Sequence, residues 1–195
     1  LHGMTLEASD LLAVRNTLIL SRTARRVLLD NAETAPILAA MAEGLSDGGG
    51  LIDLINRTIS ERGEVLDSAS PELAHIRSEI KVVHARLMDR LNRYLTDPAS
   101  SRMLQETLIT QRSGRYVLPL RAEHKGQIKA IIHDQSASGA TLFVEPIAVV
   151  ELNNKFRELE LAERDEVLRV LRVLSQQIAL QAEGLNLTTK AMAGI

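Results

Sequence analysis

The sequence has no cysteine and no tryptophan, and aromatic residues make up only 2% of its 195 positions. Without cysteine there is no disulfide framework and no thiolate metal site, which suits a reducing compartment. With Tyr94, Tyr116, Phe143 and Phe156 as its aromatics, a core must be assembled from Leu, Ile, Val, Ala and Met, residues that favour helix-on-helix packing. No apolar run approaches the ~18 residues that span a bilayer, and no basic segment followed by an apolar one opens the chain. A soluble, cytoplasmic protein with no membrane partner is expected. An excess of one charge is lacking as well. The net charge of −2 gives no global attraction to nucleic acid, so such binding would have to come from a local cluster. The chain opens at Leu1 and stops at Ile195 among small residues, and is expected to be part of a longer polypeptide.

What is present, 45% hydrophobic and 25% charged residues, fits one substantial core, or a core with a small satellite. Apolar residues recur at three- and four-residue steps from Leu6 to about Asn31, which predicts a long helix. Pro36 suits the first turn of a second helix, Ile37 to Leu45. SDGGG then reads as a flexible link before a third helical run, Leu51 to Ile59. ERGEVLDSAS reads as a polar connector. Ser70-Pro71 starts a helix that Asp97-Pro98 ends. From Thr107 the period changes. TLITQR, RYVLPLRAEHK, IKAIIHDQS and TLFVEP are short, rich in β-branched residues and separated by Ser113-Gly114, Gly126 and Ser138-Gly139, the pattern of a four-stranded meander. After Pro146 the helical period returns through Val149, Leu152, Phe156, Leu159, Val167, Val170, Leu171, Leu174 and Ile178, and is expected to continue to about Gly184. The fold class is mostly α with a small inserted antiparallel β element. A helix of that length reads as a strut.

The stretch HDQSASGATLFVEP collects residue types that enzymes use. A hydrolytic triad is disfavoured, because His133 and Asp134 would face opposite sides of a strand and the G-x-S-x-G elbow is missing. A local turn explains the segment better, with Asp134 and Ser136 bonding nearby backbone and Gly139 supplying a positive φ. A third reading makes Ser136, Ser138 and Gly139 a phosphate-contacting turn. No histidine pair among His2, His75, His84, His124 and His133 has zinc-site spacing. SDGGG lacks the Lys-Ser or Lys-Thr of a phosphate loop. The mixed charges of RELELAERDEVLRVLR read as a solvated helix face. Arg112, Arg115, Arg121, Lys125 and Lys129 crowd into the β region against Glu106, Glu123 and Asp134, so they are the candidate nucleic-acid contacts.

Four longer blocks carry a resemblance: GEVLDSASPELAHIR (63–77), TQRSGRYVLPL (110–120), HDQSASGATLFVEP (133–146) and ELNNKFRELE (151–160). In this order they resemble the core, lever and clamp region of the bacterial MutS-two family. The resemblance implies a helical core with an outgoing lever helix over 1–105, a β clamp over 106–145 and a returning lever helix over 146–195. It further implies a parent homodimeric ATPase using ATP and Mg, often with a Smr nuclease domain. Such parents engage branched DNA in suppressing recombination, or ribosomal RNA in splitting collided ribosomes. The ATPase and Smr domains lie outside these residues, so no cofactor and no catalytic residue is expected here. In this scheme Glu145-Pro146 starts the return helix as a rigid joint. The alternative is a structural or dimerising helical module that never touches nucleic acid.

Overall fold

The computed structural model describes residues 5–181. In chain order it comprises α1 (Ala8–Asp30), α2 (Pro36–Ala42), α3 (Gly49–Thr58), α4 (Pro71–Thr96) and α5 (Pro98–Ser101), then β1 (Thr110–Arg112), β2 (Arg115–Arg121), β3 (Ala130–Gln135), β4 (Thr141–Pro146) and α6 (Val150–Leu180). Mostly helical with one four-stranded antiparallel sheet, this is the expected fold class. The chain forms two compact units, one of Leu1–Ala74 with Asp165–Ile195 and one of His75–Arg164.

The core of the first unit brings together Leu11 and Leu18 of α1, Leu51, Ile52 and Ile55 of α3, and Leu174 and Ile178 of α6. Each set recurs at helical spacing, so each helix buries a single stripe. SDGGG is not a flexible link. Gly48 caps α3 at φ 72°, and a Cβ there would fall 2.7 Å from Ile52 Cδ1 and 2.9 Å from Leu18 Cβ. Only glycine combines that backbone with that approach. Arg15 is almost enclosed yet satisfied, donating to both carboxylate oxygens of Glu61 at 2.6 and 2.8 Å and to Asn56 at 3.1 Å.

Ser70 sits just before α4. Its hydroxyl accepts from the Leu73 N–H at 3.3 Å and donates to Glu166 of α6 at 2.5 Å. Glu166 also receives both arms of Arg169, at 2.6 and 2.7 Å. The Arg169 hydrogen bonds, opposed by burial and assisted by Ser70, hold the Glu166 carboxyl at about 2.

In the second unit Ile76, Val83, Leu87 and Leu91 of α4 pack with Leu118 and Leu120 of β2, Leu142 and Val144 of β4, and Phe156 and Leu159 of α6. Leu118 stands opposite Val144 and Leu120 opposite Leu142, so alternate residues of the two central strands supply one apolar face. His84, Tyr116 and Phe156 form a ring cluster with centroids 5.3 to 5.5 Å apart. The four strands are those expected, but their order is β1-β2-β4-β3 rather than that of a meander. The connection over 122–129 is too long for a tight hairpin, and β4 returns between β2 and β3 to pair with both. α5 was not foreseen; Asp97, whose side chain accepts from the Ser100 N–H, starts it.

Pro146 is not the first residue of the return helix. It ends β4 opposite Ala130 with an extended ψ of 137°, and a 3-10 turn over Ile147–Val149 leads into α6. The 31 residues of α6 make about 46 Å at ~1.5 Å per residue. Its expected continuation to Gly184 lies outside the described residues, as does His2.

Two predictions follow from these cores. Leu174, 3% exposed, is core and not an oligomer seam, so Leu174→Asp should cost several kcal/mol, of order ~3 or more, and abolish the cooperative melt of the first unit by circular dichroism. A folded monomer would contradict this. Because the folded-state pKa of Glu166 is lowered, its stabilisation is present above the unfolded value of ~4.3 and is lost as pH falls toward about 2. Urea titrations across that window should show stability falling, with a shallower fall for Glu166→Gln.

Candidate nucleic-acid interface

Ser113 and Gly114 join β1 to β2 with φ of 51° and 75°, the two left-handed positions of a two-residue hairpin. The register places Arg112 opposite Arg115, a like-charge pair that is unfavourable unless each finds an acid. Arg112 lies 3.8 Å over the Phe143 ring and 3.3 Å from Asp134. Arg115 donates to Glu145 at 2.6 and 2.7 Å, and to Asn154 Oδ1 at 2.9 Å.

Glu145 is the centre of this arrangement. Its side chain has no solvent exposure, yet besides Arg115 it accepts from His133 Nε2 at 2.5 Å and from Asn153 Nδ2 at 2.8 Å. Burial pushes its pKa up, but the Arg115, His133 and Asn153 hydrogen bonds outweigh that and hold the carboxyl below its usual range. Asn153 completes the joint: its Oδ1 accepts from the Tyr116 N–H at 3.0 Å and its Nδ2 donates to the Tyr116 carbonyl at 3.1 Å. One carboxylate and one amide therefore tie β2, β3 and β4 to the start of α6.

A bulge makes this possible. β3 and β4 pair regularly up to Ile132 and Val144, then Asp134 stands opposite Phe143, so His133 is an extra residue. Such a bulge turns consecutive side chains to one face. His133 and Asp134 thus both act on the Phe143 and Glu145 side of the sheet, where plain alternation put them on opposite faces.

The triad reading does not survive this geometry. His133 bonds Glu145, Asp134 pairs with Arg112, and the Ser136 hydroxyl accepts from the Thr141 N–H at 3.1 Å. The turn over 136–140 is largely self-satisfied: the Ser136 N–H donates to Thr141 O, the Gly139 N–H to Ser136 O, and the Ala140 N–H to Ser138 Oγ. Gly139 has φ 73°, and a Cβ there would meet Gln135 Nε2 at 2.8 Å.

The five basic candidates divide into two groups. Arg112 and Arg115 are held inside the unit by Phe143, Asp134 and Glu145. Arg121, at the end of β2, and Lys125 and Lys129, on the β2–β3 connection, are exposed. Arg121 donates through Nε to Leu104 O at 3.2 Å, while neither lysine has an ion partner among the described residues. Lys125 borders a groove of about 150 Å³ with Gly126, Ile128 and Ile132. The charge is also unevenly shared. The second unit has 14 Lys and Arg against 11 Asp and Glu, and the first has 9 against 14.

Among the described residues, the glycine turn does not have the form of a phosphate loop. The glycines of residues 48–50 are followed by no lysine, the Gly49 N–H is taken by Asp47, and no group of three potential metal ligands occurs among the described residues. The sequence reading missed Glu145, Asn153 and Asn154 as a cluster. The available signal was two consecutive asparagines, poor helix formers, in the opening turn of a long helix.

These features define a helical module with a β insertion, pinned by a buried ionic cluster and carrying a small cationic edge. No family model matches the chain. Relatives named Endonuclease MutS2 do: it is 42% identical over 98% of its length to the protein of Pelotomaculum thermopropionicum, 42% over 100% to that of Symbiobacterium thermophilum and 43% over 100% to that of Thermomicrobium roseum. The chain is a module of the MutS2 family, and it spans about a quarter of the length of these curated relatives.

Removing one partner from the buried pair should be costly. Glu145→Ala leaves Arg115 uncompensated and should lose about 3–5 kcal/mol in urea unfolding, whereas Arg115→Met with Glu145→Leu should recover most of it. A single-variant loss below ~1 kcal/mol would mean that solvent screens the pair as at a surface.

Proposed function

We propose that this chain is the lever and clamp module of a MutS-like dimeric ATPase, with its β insertion engaging nucleic acid. Residues 1–105 act as core and outgoing lever, 106–145 as clamp and 146–195 as returning lever. ATP and Mg belong to an ATPase domain outside these residues, and the long helix carries its rearrangements to the clamp. The observation that supports this reading best is the division of the basic residues. Arg112 is paired with Asp134 and Arg115 with Glu145, while Arg121, Lys125 and Lys129 stay exposed on the insertion. The partner is branched DNA, in suppressing homologous recombination, or ribosomal RNA, in rescuing collided ribosomes.

A second reading, a purely structural or dimerising module, is favoured by the apolar surface of the first unit, where Leu20 is 62% and Ile37 77% exposed. Fluorescence anisotropy separates the two. A labelled four-way junction, a linear duplex and an rRNA hairpin are titrated with the chain at about 50 and 200 mM salt. Salt-sensitive binding to one of them is expected. Replacing Arg121, Lys125 and Lys129 by Glu should weaken it by roughly tenfold or more at low salt. Unchanged binding removes these residues from the interface, and no binding to any probe favours the structural module.

A further inference from the structure

Between Asp10 and Asp30 the sequence contains no acidic residue and four arginines, Arg15, Arg22, Arg25 and Arg26. This segment is α1, in the unit where acids outnumber bases by 14 to 9. Arg15 is consumed by Glu61. The other three make no ion pair and no guanidinium hydrogen bond among the described residues. Arg22 and Arg26 are exposed, and Arg25 is half-buried.

The neighbours do not neutralise them. α1 packs against α2 and α3. α2 carries no charged residue. The acid of α3, Asp53, is exposed and pairs with none of the three arginines. Asp47 accepts from the Gly49 N–H instead. Arg22 lies three residues from Arg25 and four from Arg26, the spacings at which like charges on a helix repel. The last turn of α1, where the helix dipole would favour cations, has no basic residue. Asp30, four residues beyond Arg26 on the same helix, forms no ion pair with it among the described residues, so three like charges are concentrated on one helix without a salt bridge. A bound polyanion offsets their repulsion, and planar guanidinium groups match phosphate oxygens bidentately.

We infer that Arg22, Arg25 and Arg26 form a phosphodiester-contacting surface on the first unit, additional to the basic residues of the β insertion. The inference rests on the nucleic-acid reading above. The surface grips backbone without reading sequence.

The test uses the whole 195-residue chain and whichever probe it binds, comparing R22Q/R25Q/R26Q with R22K/R25K/R26K across a salt series. Each duplex phosphate contact contributes about 0.9 to the slope of log affinity against log salt, so the Gln variant should lose about 2–3 units of slope, and the Lys variant, which keeps the charge, should retain most of it. Should the Gln variant melt early by circular dichroism, the single exposed change Arg26→Gln is read instead, with an expected loss of about 0.9. An unchanged slope in a folded variant, while the unsubstituted chain binds, overturns this surface and leaves the β insertion as the contact. If the unsubstituted chain binds no probe, the nucleic-acid reading fails and this surface with it.

Discussion

A fully enclosed carboxylate, Glu145, organises the second unit. A buried anion is tolerated only when its charge is matched and its lone pairs are filled, and Arg115, His133 and Asn153 meet both conditions from three different elements. The arrangement explains local features that otherwise look unrelated. The bulge in β3 turns His133 toward the carboxylate, and the left-handed hairpin at Ser113 and Gly114 starts β2 at Arg115. The asparagine pair opens α6 where its side chains reach back to Tyr116 and Arg115. An apolar core alone would hold the sheet against the helices, but its nondirectional packing would leave the angle of the β4–α6 corner less defined. The hydrogen bonds of Asn153 and Glu145 supply that direction.

The same logic sorts the charges by role. An arginine with an acid a few ångströms away contributes to folding, and Arg15, Arg112, Arg115 and Arg169 all have one. Cations left without acids are available to a ligand. Lys125 and Lys129 on the insertion, and Arg22, Arg25 and Arg26 on α1, belong to that class. A net charge of −2 therefore conceals two small cationic surfaces, each produced by local segregation of charge.

Much of the fold was legible in the sequence because it rests on short-range regularity. The helical stripes that became α1, α3, α4 and α6 could be read from spacing, and the strands from short β-branched segments set off by Ser113-Gly114, Gly126 and Ser138-Gly139. What resisted reading depended on pairing between distant residues. Strand order was one case: a meander and the observed order share the same four segments and differ only in where β4 inserts. His133 was another, since a bulge is invisible to a period-two argument. Gly48 looked like slack in the chain, and only the approach of Leu18 and Ile52 reveals it as a packing requirement. The candidate site was half legible: clustering of basic residues was evident, but not which of them the fold would consume.

The central claim, that a buried polar joint fixes the sheet to the start of α6, is tested most directly by native-state hydrogen exchange at the Tyr116 amide, which donates to Asn153 Oδ1. The account predicts exchange only through unfolding of the whole unit, with a protection factor that tracks its urea stability. It also predicts that Asn153→Ala selectively releases that one amide. Fast exchange in the unsubstituted protein, independent of denaturant, would show the joint opening locally and would contradict a fixed corner.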